Sequence, residues 1–436
     1  MYLKLCVLTC ALLVTSATWS AEIGPGDDLR AAIDALGPGD ELVLRGGEYA
    51  LNSGFRIGAV GTESQPVIIR GKAGERAVIR QYSSNHNTIE VTGSRYLVLD
   101  SLVVTGGSHG IRLMDSDYIT IQSCEVFETG DVAISANSGG TYTGLKILRN
   151  HIHHTNNTGE GMYLGCNNDQ CRVENSLIEG NYVHHTNGPT VEQGDGIELK
   201  EGSSGNTIRD NVIHDTNYPG ILVYGTAGNG PANTIEGNVI WNVGDYGIQA
   251  AADAIIRNNI VLDGGVGFQR HQSSVPSNIE FVHNTVLLGG TTLTVRDVSG
   301  PVVIANNALY SQGGNAVRLV SGDLSQVVLR GNVGTGGVSG ASGGFTWGAG
   351  VDQDFVNGHF GVPPIDLYPS AGSPLIDAGD AAYQTPVDFN GASRSGVPDA
   401  GAYQHGPDSN QGWPISTTFK TAAGITIPLP PVILED

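Results

Sequence analysis

An asparagine leading into a short apolar run recurs at Asn150, Asn181, Asn211, Asn238, Asn259, Asn284 and Asn307. The intervals are 31, 30, 27, 21, 25 and 23 residues. A constant element with spacers of changing length is the mark of stacked repeats, each burying its apolar face on its neighbours. Within a repeat the apolar residues alternate with period two over three short stretches, as in Ile197-Glu198-Leu199-Lys200, Asn206-Thr207-Ile208 and Val212-Ile213-His214. No helical stretch lies between them, which excludes a barrel of alternating strands and helices. The expected fold is all-β, a right-handed parallel β-helix solenoid with a short N-terminal capping helix and a C-terminal cap. A stacked asparagine can hydrogen-bond the coils above and below, so that column is read as structural.

The ends divide the chain. Residues 1–21 have the charged start, apolar run and small residues of a secretory signal. Residues 22–345 are read as the β-helix, with an amphipathic helix from Asp27 to Leu36 covering the open end. Residues 346–406, rich in aspartate and glycine, are read as the C-terminal cap, and 407–436 as a proline-rich tail. An exported chain meets an oxidising compartment, so Cys166 and Cys171 are expected to pair. Cys124 is expected in the core. The formal charge of −21 argues against nucleic acid as a partner. No stretch is long and apolar enough for a membrane span. A monomer, secreted, periplasmic or at the cell surface, is expected.

Aligning the strand that follows a glycine or alanine in each coil produces two outward columns. One holds Arg112, Ser135, Tyr163, Glu198, Leu222, Gln249, Gln269 and Thr294; the other Met114, Asn137, Gly165, Lys200, Tyr224, Ala251, His271 and Arg296. Lys200 and Tyr224 are expected side by side on adjacent coils, with His271 and Arg296 two and three coils beyond Tyr224. A chain with 22 Lys plus Arg collects a Lys, a Tyr, a His and an Arg on this one face. Glu198, Tyr163, His271, Arg296 and Gln249 are expected to bind substrate there. Glu160 and Asp195 each precede the glycine before the strand and should stack. Like charges so placed repel unless neutralised, and carboxylate oxygens suit Ca²⁺. Asp131, Glu192 and Glu201 lie nearby. His153, His184, His214 and Trp241 align in a further column, with His154, His185, Asp215 and Asn242 beside it; these are read as a structural ladder.

The coils between about residues 85 and 335 resemble the right-handed β-helix repeat family of carbohydrate-active proteins. More narrowly, DGIELKEGSSGNTIRDNVI resembles polysaccharide lyase family 6, the alginate lyases and chondroitinase B. The opening DDLRAAIDALGPGDELVLRGGEY is similar to that family's N-terminal cap. The resemblance implies that Lys200 is the catalytic base and that Asp195, with Glu160, binds Ca²⁺. The family's arginine on the next coil is replaced here by Tyr224. SPLIDAGD through DAGAYQ resembles a C-terminal segment of bacterial exported β-helix proteins.

The expected activity is β-elimination on an acidic, uronate-containing polysaccharide. Lys200 serves as base, its pKa depressed by neighbouring positive charge, and Tyr224 as acid, or the two roles are exchanged. A glycosidase using Glu198 and Asp195, a uronate epimerase and a non-catalytic glycan-binding surface protein are the alternatives.

Overall fold

The computed structural model describes residues 20–406, 410–412 and 414–416, and the backbone of 421–422 and 425–426. Most of the expected signal sequence, up to residue 19, and most of the expected proline-rich tail lie outside the described residues. Ser20–Ile23 forms a strand paired in parallel with Glu41–Leu44, so the boundary expected near residue 21 falls inside a strand.

Each coil contributes a strand to each of three faces. The second face is one parallel sheet of thirteen strands, running from Ser20–Ile23 to Val327–Arg330. The front face carries Ile134–Ala136, Met162–Leu164, Ile197–Leu199, Ile221–Val223 and Tyr246–Ala250 in parallel register. The third face carries His151–His153, Tyr182–Thr186, Val212–Thr216 and Val239–Val243. Alternation decides which side chains go inside. Ile134, Met162, Ile197, Ile221 and Ile248 point inward from the front face and are fully buried, as are Ile147, Ile178 and Ile208 of the second face. Burying a side chain of this size is worth about 1.5–3 kcal/mol, and it recurs three times per coil.

Between the second and third faces the chain turns through one left-handed residue. That position is Arg149, Gly180, Asp210, Gly237 and Asn258 on successive coils, with φ between 53° and 67°. The asparagine follows it. Asn181 donates from its backbone N and from Nδ2 to Asn211 Oδ1, both at 2.9 Å, and its Nδ2 also donates to the Ile147 carbonyl. The ladder continues to Asn332, one rung beyond the expected column, and a shorter one runs through Ser176, Asn206 and Asn233. Cys124 is buried at the first rung, its backbone N donating to Asn150 Oδ1. The glycine before each front strand has a steric cause. A Cβ on Gly196 would lie 2.5 Å from the Gly220 carbonyl and 2.6 Å from Ile213 Cγ2.

The N-terminal helix is Leu29–Asp34, started by Asp28, whose side chain accepts from the Ala31 N–H; Leu29 and Ile33 are buried. The segment expected as the C-terminal cap packs along the outer side of the third face. Phe355, Leu367, Phe389 and Tyr403 pack with Val239, Trp241, Ile260 and Tyr310. Arg394 fastens it, donating from Nη2 to Asn258 Oδ1. The third face of these coils presents apolar residues outward as well as inward, and a second layer is what buries them. Among the described residues no helix is long and apolar enough to cross a membrane.

Candidate functional site

The front face holds a buried polar cluster. Lys200 Nζ donates to Glu198 Oε1 and lies 3.3 Å from Tyr224 Oη, which itself donates to Glu198 Oε1 at 3.2 Å. The ammonium sits 4.4 Å from the centre of the Tyr163 ring and 5.0 Å from that of Tyr224. Glu160 and Asp195 stack as expected, since Gly161 N donates to the Asp195 carbonyl. Glu198 joins them: each of the three offers a carboxylate oxygen within 4.8 Å of the others. Both Glu160 oxygens, Asp195 Oδ1 and Glu198 Oε2 are buried without a hydrogen-bond partner. Such a set could hold a hard cation. Asp131 and Glu201 stand apart, taken up by Thr158 Oγ1 at 2.6 Å and Ser274 Oγ at 3.0 Å; Glu192 is not in the cradle.

Alternation placed these residues outward on a substrate-binding face, and the structure buries most of them. Lys200 is 4% exposed, Glu198 2%, Gln249 4% and Tyr224 3%. Two loops lie against one another on this side. The loop closed by the Cys166–Cys171 disulfide meets the loop after Phe268, with Gln272 Oε1 accepting from Asn168 N at 2.9 Å and Gln272 Nε2 donating to Asn167 Oδ1 at 2.8 Å. Asp169 sits so close over Gly202 that a Cβ there would collide with its carboxylate.

The charge states follow from burial. Burial alone would draw the proton off Lys200, but the Glu198 carboxylate and the two phenols outweigh it and hold its pKa above the ordinary value. The expected depression by positive charge is therefore overturned: Lys200 stands as an ammonium in an ion pair. Burial, then Glu198 and Glu160, raises Asp195 well above the usual carboxylate range, and burial with Glu198 pushes Glu160 up to about 7. Burial and the Glu198 charge raise Tyr224. Burial and Lys200 lower His271, which is neutral at pH 7.

His271 is closer than its position in the column implied. Gly267, not Gln269, pairs with Gln249, and Phe268 pairs with Ala250, because the register shifts between Tyr246 and Ile248. Gln269 takes the row given to His271, while Arg296 keeps its own, three coils from Tyr224, with its N–H donating to Phe268. His271 lies in the loop beyond, which folds back so that Nε2 is 2.8 Å from Tyr224 Oη. Lys200, Tyr224, Glu198, Tyr163 and His271 are thus brought together, beside Glu160 and Asp195; Arg296 and Gln249 make no polar contact with them. The sequence reading missed the third carboxylate of the cradle and the two-loop cover. The carboxylate was visible as an acid three residues after Asp195; the cover left no periodic signal.

The site is a buried Lys–Glu–Tyr–His cluster on a parallel β-helix, with Glu198 shared between it and the Glu160–Asp195 cradle. Residues 64–193 and 183–288 match the model of the "Right handed beta helix region" family, together more than half of the chain, and the chain belongs to that family. Pectate lyase L of Paenibacillus polymyxa (strain SC2) is 25% identical over 309 residues, 65% of this chain and 63% of that protein. The chain therefore spans just under two thirds of the curated relative's length. Among solved structures, the XylC–xylose complex superposes with a TM-score of 0.57 at 9% identity, over 88% of this chain and 98% of that one. The alginate lyase of Paenibacillus sp. str. FPU-7 has 23% identity, coverage of 76% and 98%, and a TM-score of 0.45. The histidines fall where the ladder reading put them: His153, His184, His214 and Trp241 stack at ring separations of 5.1, 5.1 and 4.4 Å.

Proposed function

We propose that this is an exported polysaccharide lyase that cleaves an acidic, uronate-containing polymer by β-elimination at the Lys200–Tyr224–His271 cluster. The observation that carries it is a tyrosine hydroxyl held between a neutral imidazole and an ammonium, next to a cradle of carboxylates. The name of the pectate lyase relative supports the same reaction class. Elimination requires a uronate carboxylate to be neutralised, the C5 proton to be taken, and the 4-linked oxygen to be protonated as it leaves.

Glu160, Asp195 and Glu198, oxygen donors with orphaned buried atoms, fit Ca²⁺. Bound there, the ion would supply positive charge for a substrate carboxylate and cancel the Glu198 charge that keeps protons on Lys200 and Tyr224. Of the two role assignments open in the sequence, the geometry favours the exchanged one. Tyr224 Oη passes its proton to His271 Nε2, 2.8 Å away, and the phenolate so formed takes the C5 proton. Lys200, 3.3 Å from the same oxygen, stabilises the phenolate. Tyr224 then gives the proton taken from C5 to the 4-linked oxygen as the C4–O bond breaks and the C4–C5 double bond forms, and recovers its own proton from His271. Tyr163, over the ammonium, lines the approach.

The test is incubation of the purified protein with alginate, pectate and glycosaminoglycans, with Ca²⁺ and then with chelator, reading ultraviolet absorbance of new unsaturated ends. The expected result is a rise on one polymer that chelator abolishes. A flat trace on every polymer, with new reducing ends instead, would replace the lyase by a hydrolase.

A further inference from the structure

We propose that Glu125, His151, His153 and His184, on the third face, form a binding site for a transition-metal dication of the zinc class, separate from the front-face carboxylates. Glu125 and His151 are neighbours in one column and His153 and His184 in the next but one, on three successive coils. Ligands drawn from two columns rather than one remove the planarity that a single ladder would impose. One ligand atom each of Glu125, His151 and His153 lies within 4.8 Å of the others. His184 Nε2 is 2.7 Å from His151 Nε2, and Glu125 Oε1 is 3.3 Å from His153 Nε2. Around a tetrahedral ion with metal–nitrogen distances near 2 Å, adjacent donors stand roughly 3.3 Å apart. One pair already has that spacing, and the other needs to open by roughly half an ångström. Two imidazole nitrogens at 2.7 Å require a proton or a cation between them.

All four residues are more than nine-tenths buried. Outer partners are in place for two of the three histidines. His153 Nδ1 meets His154 Nδ1 at 2.7 Å and His184 Nδ1 meets His185 Nδ1 at 2.5 Å; with the protons of His153 and His184 on Nδ1, both contacts stand and Nε2 faces the site as a lone pair, while His151 Nδ1 is buried without a partner. The charged neighbour is Arg76, whose Nη2 lies 2.7 Å from Glu125 Oε2 and leaves Oε1 to the site. Stacking alone does not account for the set. Phe127 and Trp241 serve the same column with rings that cannot ligate, and only between them do imidazole nitrogens and a carboxylate converge. Imidazole donors select a borderline ion over Ca²⁺.

The experiment is metal content by mass spectrometry after the full chain is equilibrated with micromolar Zn²⁺ in the presence of millimolar Ca²⁺ and desalted. About one zinc per chain is expected. The His151→Gln/His184→Gln double variant should lose it, while Glu160→Gln keeps it, which separates this site from the proposed calcium cradle. Should the double variant fail to fold, the single His184→Gln variant is expected to bind zinc at least tenfold more weakly. A wild-type chain that retains no zinc, or variants that retain as much as wild type, overturns the proposal.

Discussion

Tyr224 Oη lies 2.8 Å from His271 Nε2 across 47 positions of sequence, and the two rings stack with centroids 4.4 Å apart. A contact of this kind holds the phenol proton between a base and the Lys200–Glu198 ion pair. Tyr224→Phe removes only the hydroxyl and preserves the stacked ring. Turnover is expected to fall by about 10²–10⁴-fold with substrate affinity little changed. His271→Ala should show a loss of similar order. Initial rates of unsaturated-end formation over a range of substrate concentrations check both; a Tyr224→Phe enzyme of wild-type turnover would remove the hydroxyl from the mechanism.

The carboxylate cradle makes stability depend on pH in a defined direction. Burial and Glu198 raise Glu160 from 4.5 to about 7 in the fold. The folded chain therefore holds that proton more tightly than the unfolded one. The associated stability is present below pH 4.5 and is lost as pH rises through about 7. Buried histidines such as His109, lowered to about 4 by burial, titrate with the opposite sign, so the comparison must be between wild type and Glu160→Gln. Relative to wild type, the variant should gain about 3 kcal/mol on going from pH 4 to pH 8 in calcium-free buffer. Adding Ca²⁺ at pH 8 should raise the wild-type Tm and leave the variant's nearly unmoved. Urea titrations at the two pH values measure the first effect and thermal scans the second.

How much of this was legible in the chain varies by element. The asparagine intervals and the Gly-Ile strand starts located the coils because both have steric or hydrogen-bond causes that repeat, as the Gly196 and Asn211 contacts show. The stack of Glu160 on Asp195 followed from the same alignment. The alignment slipped by two residues at Phe268, since Val266 fits the inward column as well as Phe268 does and a bulge at Tyr246 hides the true register. Period-two patterning says which side of a strand a residue occupies but not what covers that side. Lys200 and Glu198 were placed outward, but their burial could not be read, because the loops on that side meet through Asn167, Asn168 and Gln272, residues with no periodicity at all.

Removing one partner of the buried ion pair should cost more than removing both. Lys200→Met leaves the Glu198 carboxylate buried and unpaired, a loss of about 3–5 kcal/mol. In the double variant Lys200→Met/Glu198→Gln no buried charge remains from the pair, and most of that loss should be regained. Activity should be abolished in both, so equilibrium unfolding, not turnover, separates them. Equal destabilisation of the single and double variants would mean that the pair is not charged in the fold.

The asparagine ladder is the part of the structure with the least slack. Asn211 Oδ1 accepts from Asn181 N and Nδ2, both at 2.9 Å, while its own Nδ2 donates to the Ile178 carbonyl at 3.1 Å and to Asn238 Oδ1 at 2.9 Å. Asn211→Ala strips all four at a fully buried position, leaving a backbone N–H on one side and a carbonyl on the other without a partner. At about 1–3 kcal/mol for each orphaned group, the variant should lose about 3–5 kcal/mol. Cys124 provides the contrast. At the first rung a thiol already stands in for the amide, with Sγ 3.7 Å from the Leu99 carbonyl, and the backbone N–H keeps Asn150 Oδ1 whatever the side chain. Cys124→Ala should therefore cost about 1–2 kcal/mol, mostly lost packing and one weak bond. If urea unfolding ranks the two variants the other way round, stability in this solenoid resides in its aliphatic columns and the asparagines serve only to set the corner.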